Sequence, residues 1–474
     1  MNDHPSAPDR SAPEPNPRLR HGVRFGCAVV LLLLPAWGAA AHLRARKDLD
    51  AALAAAKSEV ASRSQHLQGS RAPVFGAPTP GNAADDYVAA LYVLSAGTPK
   101  QRPERWQEDP PLVPASAVLL AQQLERAQPI TPAMSGELYR HLSKGAPLTS
   151  ATQAVVGSYL PVLQFLREGV HRERCVWDFP WEEGWGAAVP NLISVRILGG
   201  LLAFHSQNDA DPRRALRTDL ELLGFAADLT LQPPLITQVI AVGLIDTGCK
   251  SLCKTLARPD LSREDYLLAL EAVGRIQLVP TQRTLDDENL LTRISLLADS
   301  GRKVLPGAQG SMGGLYELDV FGAWELRNLQ RVYERTRTLL RAPRPERLAG
   351  LRRLEEELEG TRSIVLGIAQ PDWSLAQDQV WGARMTLASA RVLVAAHLYR
   401  CEHGRFPARL EELRALLGGD LPADLFGEGP LRLFFDERSD ELRCSSVGPN
   451  GVDEQKLAKG TGDDYGSRTR APLE

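Results

Sequence analysis

The segment Trp177-Asp178-Phe179-Pro180-Trp181-Glu182-Glu183-Gly184-Trp185 places four aromatic rings and three carboxylates within nine residues. Indole rings stack on the apolar faces of sugars, and carboxylates accept hydrogen bonds from sugar hydroxyls. Trp177, Trp181, Glu182 and Trp185 are therefore candidate glycan ligands. A pair of carboxylates flanking a bound sugar is also the chemistry of glycoside hydrolysis. The same residues fit a plain structural role, in which the tryptophans plug a helical array and the acids face water.

A second candidate is Cys249 with Cys253, four positions apart in a helical stretch and so on one face. That face would suit a metal or a redox pair. A zinc site needs about four ligands, and no second Cys/His pair accompanies these two. Gly248-Cys249-Lys250-Ser251 copies only the end of a phosphate-binding loop and lacks the glycines that cradle the phosphate. The chain has no H-E-x-x-H and no G-x-S-x-G, and its nine histidines are scattered. The residues lean towards a non-enzymatic role.

The elements that must position these groups belong to a chain of 474 residues, enough for two or three domains at roughly 100–200 residues each. Apolar residues at 43 % and charged residues at 24 % argue against a polytopic membrane protein and a mainly disordered one. A net charge of −3 disfavours an electrostatic nucleic-acid binder, so no nucleic-acid partner is expected. Of the six cysteines, Cys27 lies in the N-terminal apolar run. The five others (Cys175, Cys249, Cys253, Cys401 and Cys444) are too scattered and odd in number for a disulfide framework.

Residues 1–24 read as a disordered tail rich in Pro, Asp and Arg. Residues 25–43 then run 19 positions without Asp, Glu, Lys or Arg, just long enough to cross a bilayer. The run fits a transmembrane anchor. It also fits a signal peptide cleaved at Ala39-Ala40-Ala41. Basic residues flank it on both sides, so charge does not orient it. Residues 44–68 predict a juxtamembrane helix and 69–368 an α-helical domain. Within that domain, Asn191–His205, Pro212–Leu231, the stretch from Leu235 to about Leu256, and a block starting at Ser262 carry apolar residues at steps of three and four. They predict an array of antiparallel helix pairs. A Gly-rich loop at 300–322 precedes an Arg-rich helix near 323–342 and an acidic one near 345–366, whose charges should complement each other.

From residue 369 the pattern changes. A long helix over 374–403 ends at Gly404, followed by a short helix at 409–417. Strands follow at Leu431–Phe435 and Glu441–Ser446. The run Leu398-Tyr399-Arg400-Cys401-Glu402-His403-Gly404-Arg405-Phe406-Pro407, with Leu410-Glu411-Glu412-Leu413 after it, resembles the type II secretion major pseudopilins and related type IV pilin-like proteins. Leu421-Pro422-Ala423-Asp424-Leu425-Phe426-Gly427, Ser446-Val447-Gly448-Pro449-Asn450-Gly451 and the late pair Asp463-Asp464 resemble further motifs of that family, in order. The likeness covers about a fifth of the chain. The chain departs from it in three ways. Its apolar segment is far upstream and lacks the family's processing site, Leu425 replaces a proline, and Asn450 replaces an aspartate.

The resemblance implies an α+β module at 369–474. It also implies calcium held by the C-terminal loop, with Asp453, Asp463 and Asp464 as ligands, since calcium takes six to eight hard oxygens. A solvent-exposed acidic tail that binds nothing is the competing reading. The helical body, with Cys175-Val176-Trp177-Asp178, is similar to the ectodomains of some large bacterial envelope proteins. The expected protein is mainly α: a single N-terminal membrane helix, a helical hairpin array and a small pilin-like module. It is expected at the bacterial inner membrane with its bulk outside the cytoplasm, as a scaffold for an envelope protein partner. The alternative is a glycan- or peptidoglycan-binding protein using 177–185.

Overall fold

The computed structural model describes residues 17–66, 73–96, 112–187, 191–297, 319–359, 371–436, 441–449 and 465–470. Helix α1 (Pro17–His66) is unbroken through both the apolar run and the juxtamembrane stretch. Residues 17–24, expected in a disordered tail, form its first turns. Pro17 takes the opening position, where its missing N–H costs nothing, and no later residue breaks the helix before the apolar run. Within α1, side chains are described from Trp37 to Arg63.

The body follows as β1 (Thr79–Asn82), α2 (Ala83–Ala96), α3 (Ala115–Leu124), α4 (Pro132–Lys144), α5 (Ser150–Tyr159), α6 (Leu163–Val170) and β2 (Arg172–Arg174). Strands β1 and β2 pair in parallel. After a 3₁₀ turn at Trp181–Gly186 come α7 (Leu192–Asn208), α8 (Pro212–Leu229), α9 (Leu235–Leu256), α10 (Arg263–Arg275) and α11 (Thr281–Leu297). Three of the four expected helical blocks open on side-chain caps. The Asn191 carboxamide accepts from Ile193 and Ser194, Asp211 accepts from Arg213, and Ser262 with Asp265 forms a reciprocal capping box.

Helices α7, α8 and α9 pack on one another, and α9 also touches the C-terminal elements. By length and composition α9 is apolar enough to cross a membrane, yet half of that window is buried inside the protein. Close approach needs small residues. A methyl group on Gly199 would strike Leu244 at 2.3 Å, so glycine lets α7 and α9 meet.

Helices α12 (Asp319–Arg341) and α13 (Arg344–Glu359) are the expected Arg-rich and acidic pair. Arg335 of α12 does pair with Glu357 of α13, whereas Arg337 turns instead to Asp286 of α11. Glu59 and Arg63 of α1 meet Arg293 and Asp287 of α11, so those helices run antiparallel. Thr292 meets Tyr333, and Gln282 reaches the Leu340 carbonyl at 3.4 Å, so α12 is antiparallel to α11 and parallel to α1.

Helix α14 (Trp373–His403) is capped by Asp372 and closed by left-handed Gly404, φ 73°. The residues expected as a short helix at 409–417 give only a 3₁₀ turn at Leu410–Leu413, ahead of Gly418 and Gly419, both at positive φ. Strands β3 (Arg432–Asp436), β4 (Glu441–Ser445) and β5 (Gly466–Arg470) form an antiparallel sheet in that order. Strand β5 is an element of this sheet that the sequence did not announce. Its inward positions are Ser467 and Thr469, so the alternation is of small polar residues and carries no apolar signal.

The main core is continuous from Val74 to Val447, joining α2, α7, α8, α9, α14 and β4. A second cluster lies among α11, α12, α13 and the start of α14, and a third where α1 meets α11 and the 3₁₀ turn.

Candidate functional site

The tryptophan segment turns inward. Trp177 is buried, stacks on Tyr87 with centroids 5.8 Å apart, and donates its indole N–H to the Asp228 carbonyl at 3.0 Å. Trp181 is buried against Phe179, with Ala56 of α1 and Leu290 of α11 in the same cluster. These two rings do not form the expected sugar platform. Burial of their large apolar surface holds the 3₁₀ turn to the body, and that gain outweighs exposure to a soluble ligand. Asp178, Glu182 and Glu183 are exposed, and the side chain of Trp185 lies outside the described residues.

Cys249 and Cys253 share a face of α9 as expected, and both are buried. Burial pushes the Cys249 thiol well up and Cys253 to about 12. Protonated thiols are poor nucleophiles and poor metal ligands. Among the described residues no group of three or more His, Cys, Asp or Glu could hold a metal ion. The expected calcium ligands Asp453, Asp463 and Asp464 lie outside the described residues.

Acids in the C-terminal motifs that are described act as ties. Asp424 is buried and accepts from the Phe426 amide at 2.9 Å, the Val447 amide at 2.9 Å and the Ser446 hydroxyl at 2.6 Å. It thereby joins the 421–427 segment to the 446–449 turn. Glu412 accepts from Tyr399 at 2.6 Å and Arg405 at 2.8 Å, and from the Ala408 and Arg409 amides. Those bonds, led by Tyr399 and Arg405, pull its pKa down to about 2.

Two polar clefts gather charged groups from distant parts of the chain. One, of about 410 Å³, is lined by Arg167, His205, Asp209, Arg214, Arg217, Thr218 and Glu221. Arg167 donates to Glu221 at 3.1 Å and Arg214 to Asp209 at 3.0 Å, so its charges are largely matched internally. Burial raises Glu221 to about 7 despite Arg167. His205 is pushed down, by burial first and then by the charge on Arg167. Glu221 is thus a carboxyl that exchanges a proton near neutrality.

The other cleft, of about 360 Å³, opens where α1 meets the body and is lined by Ser62, Arg63, Trp181, Pro233, Arg283, Asp286 and Asp287. Arg63 binds Glu59 at 2.8 Å and pairs with Asp287, and its guanidinium lies 5.7 Å from the Trp181 ring centroid. Burial alone would raise the Glu59 carboxyl, but Arg293 and Arg63 outweigh it and hold the pKa low. Arg283 is held below the usual arginine range by burial and by Arg63.

Reading along the chain missed both clefts, since each draws on three or more separate elements. The one local clue to the second is the charged run Asp286-Asp287-Glu288 in a helix otherwise needed for packing. Comparisons with protein-family models, with curated proteins and with solved structures return no match.

Proposed function

We propose that the chain is a single-pass, membrane-anchored envelope scaffold. Residues 25–43 cross the bacterial inner membrane, and the helical body stands outside the cytoplasm to hold a protein partner. The observation that carries this is the clamping of α1. The helix emerging from the apolar run is the same one whose Ala45 and Ala56 are buried and whose Glu59 and Arg63 are ion-paired to α11. A tether that enters the body as a rigid element fixes the body's height and heading, which suits a scaffold better than a diffusing binder. The helix α14 carrying a three-stranded antiparallel sheet supports a pilin-like C-terminal module as part of that scaffold.

The test is purification of the full chain from membranes in mild detergent. A second polypeptide in fixed ratio, lost when residues 1–43 are deleted, is the expected result. Recovery of the chain alone in repeated preparations, or from the soluble fraction, overturns the reading.

A further inference from the structure

The ion pairs around the α1 junction leave one arginine out. Asp287 is paired with Arg63, Asp286 with Arg337, and Glu59 with both Arg63 and Arg293. Three arginines (Arg63, Arg293 and Arg337) thus hold ion pairs at the junction. Arg283, between them, has no carboxylate partner among the described residues. It stands in the first turn of α11, half-buried, on the wall of the 360 Å³ cleft. A guanidinium stays charged at working pH, so it is partly stripped of water without a counter-ion.

We propose that this cleft is a binding site for a ligand bearing a single carboxylate. Arg283 takes the carboxylate through two parallel N–H bonds, the geometry its planar fork matches best. Pro233 and the accessible edge of the otherwise buried Trp181 give the rest of the ligand a narrow apolar wall. Asp286 and Asp287 border the same cleft and repel a dianion such as phosphate more strongly than a monoanion. The site rests on the junction's geometry and does not depend on whether residues 25–43 cross a membrane.

The carboxylate could come from a small organic acid or from a polypeptide C-terminus, and the probes separate the two. Full-length protein in detergent is titrated calorimetrically with benzoate, neutral benzamide, inorganic phosphate, and a short apolar peptide with a free or amidated C-terminus. Saturable binding of benzoate or the free-ended peptide is expected, and whichever binds tighter identifies the source. Benzamide and the amidated peptide should bind at least tenfold more weakly. Arg283→Gln should weaken carboxylate binding tenfold or more, and Arg283→Lys should restore part of it, at melting temperatures no lower than that of the parent. Carboxylate binding unchanged in Arg283→Gln, phosphate binding tighter than benzoate, or no saturable binding of any carboxylate overturns the proposal. Should Arg283→Gln fail to fold, the benzoate-to-benzamide ratio of the parent, compared with that of Arg283→Lys, decides it alone.

Discussion

His397 should make the protein acid-sensitive in a way that one substitution removes. It lies in α14 beneath strand β5, buried, with Nε2 3.1 Å from the Thr469 hydroxyl, Tyr266 stacked at 5.8 Å and Phe406 edge-on at 5.2 Å. Burial first, and the charge of Arg400 second, push its pKa to about 3. In the unfolded chain it titrates near 6.5. Between those values the unfolded state binds a proton that the native state refuses. Stability from this group is therefore full above about pH 6.5 and falls as pH drops towards 3. Integrating that difference from pH 7 to pH 5 gives a loss of about 2 kcal/mol. Asp219 and Glu221, raised by burial to about 6 and about 7, act in the opposite sense over the same range. The raw pH profile thus mixes both. The assay is urea unfolding of the parent and of His397→Gln at pH 7 and pH 5, compared as a difference. Glutamine keeps a polar partner for Thr469 and does not titrate. The parent should lose about 2 kcal/mol more than the variant between the two pH values. Equal losses would mean that His397 is hydrated in the native state, and the packing of β5 on α14 would be refuted.

Other outcomes follow from the same contacts. Asp424→Ala leaves two amides and a hydroxyl unsatisfied in a buried turn and should cost about 3 kcal/mol, read by chemical unfolding of the full chain. Arg283→Met, by contrast, removes an uncompensated half-buried charge and should raise the melting temperature while abolishing carboxylate binding. Gly169→Ala sets a methyl 2.4 Å from the rigid Tyr87 ring and should destabilise by about 2 kcal/mol in the same unfolding assay, against the usual helix preference for alanine. In thiol-labelling kinetics Cys401, exposed, should react in the native state, and Cys249 and Cys253 only after denaturation.

The helical frame was legible because its signals are local. Asn191, Asp211-Pro212, Ser262 with Asp265, and Gly404 are cap chemistry readable within four residues, and the helices begin or end where they stand. Strand β5 was not legible, because Ser467 and Thr469 are buried by hydrogen bonds to Thr386 and His397, and no hydrophobic alternation marks it. The tryptophan segment shows a second limit. Composition reported that rings and acids are neighbours in sequence, but their direction is set by Tyr87, Asp228 and Leu290, all remote. The junction cleft shows the same effect at larger scale. Arg63, Trp181 and Arg283 span more than two hundred positions, and the unpaired status of Arg283 is defined only once its neighbours have chosen their partners.

The unbroken helix α1 has a consequence in rotation. Among its described side chains Ala45 is the first that is buried, and Leu49 lies against Gly322 of α12. The body therefore inherits the helical phase of whatever holds the residues before it. One residue inserted at position 44 would lift the body by about 1.5 Å and swing it by about 100° around the helix axis. Seven inserted residues would lift it by about 10 Å yet return it to within about 20° of its original bearing. Height and heading can thus be varied separately in a series of insertions of one to seven residues. Any function that requires the body to face a particular neighbour should come and go with that period.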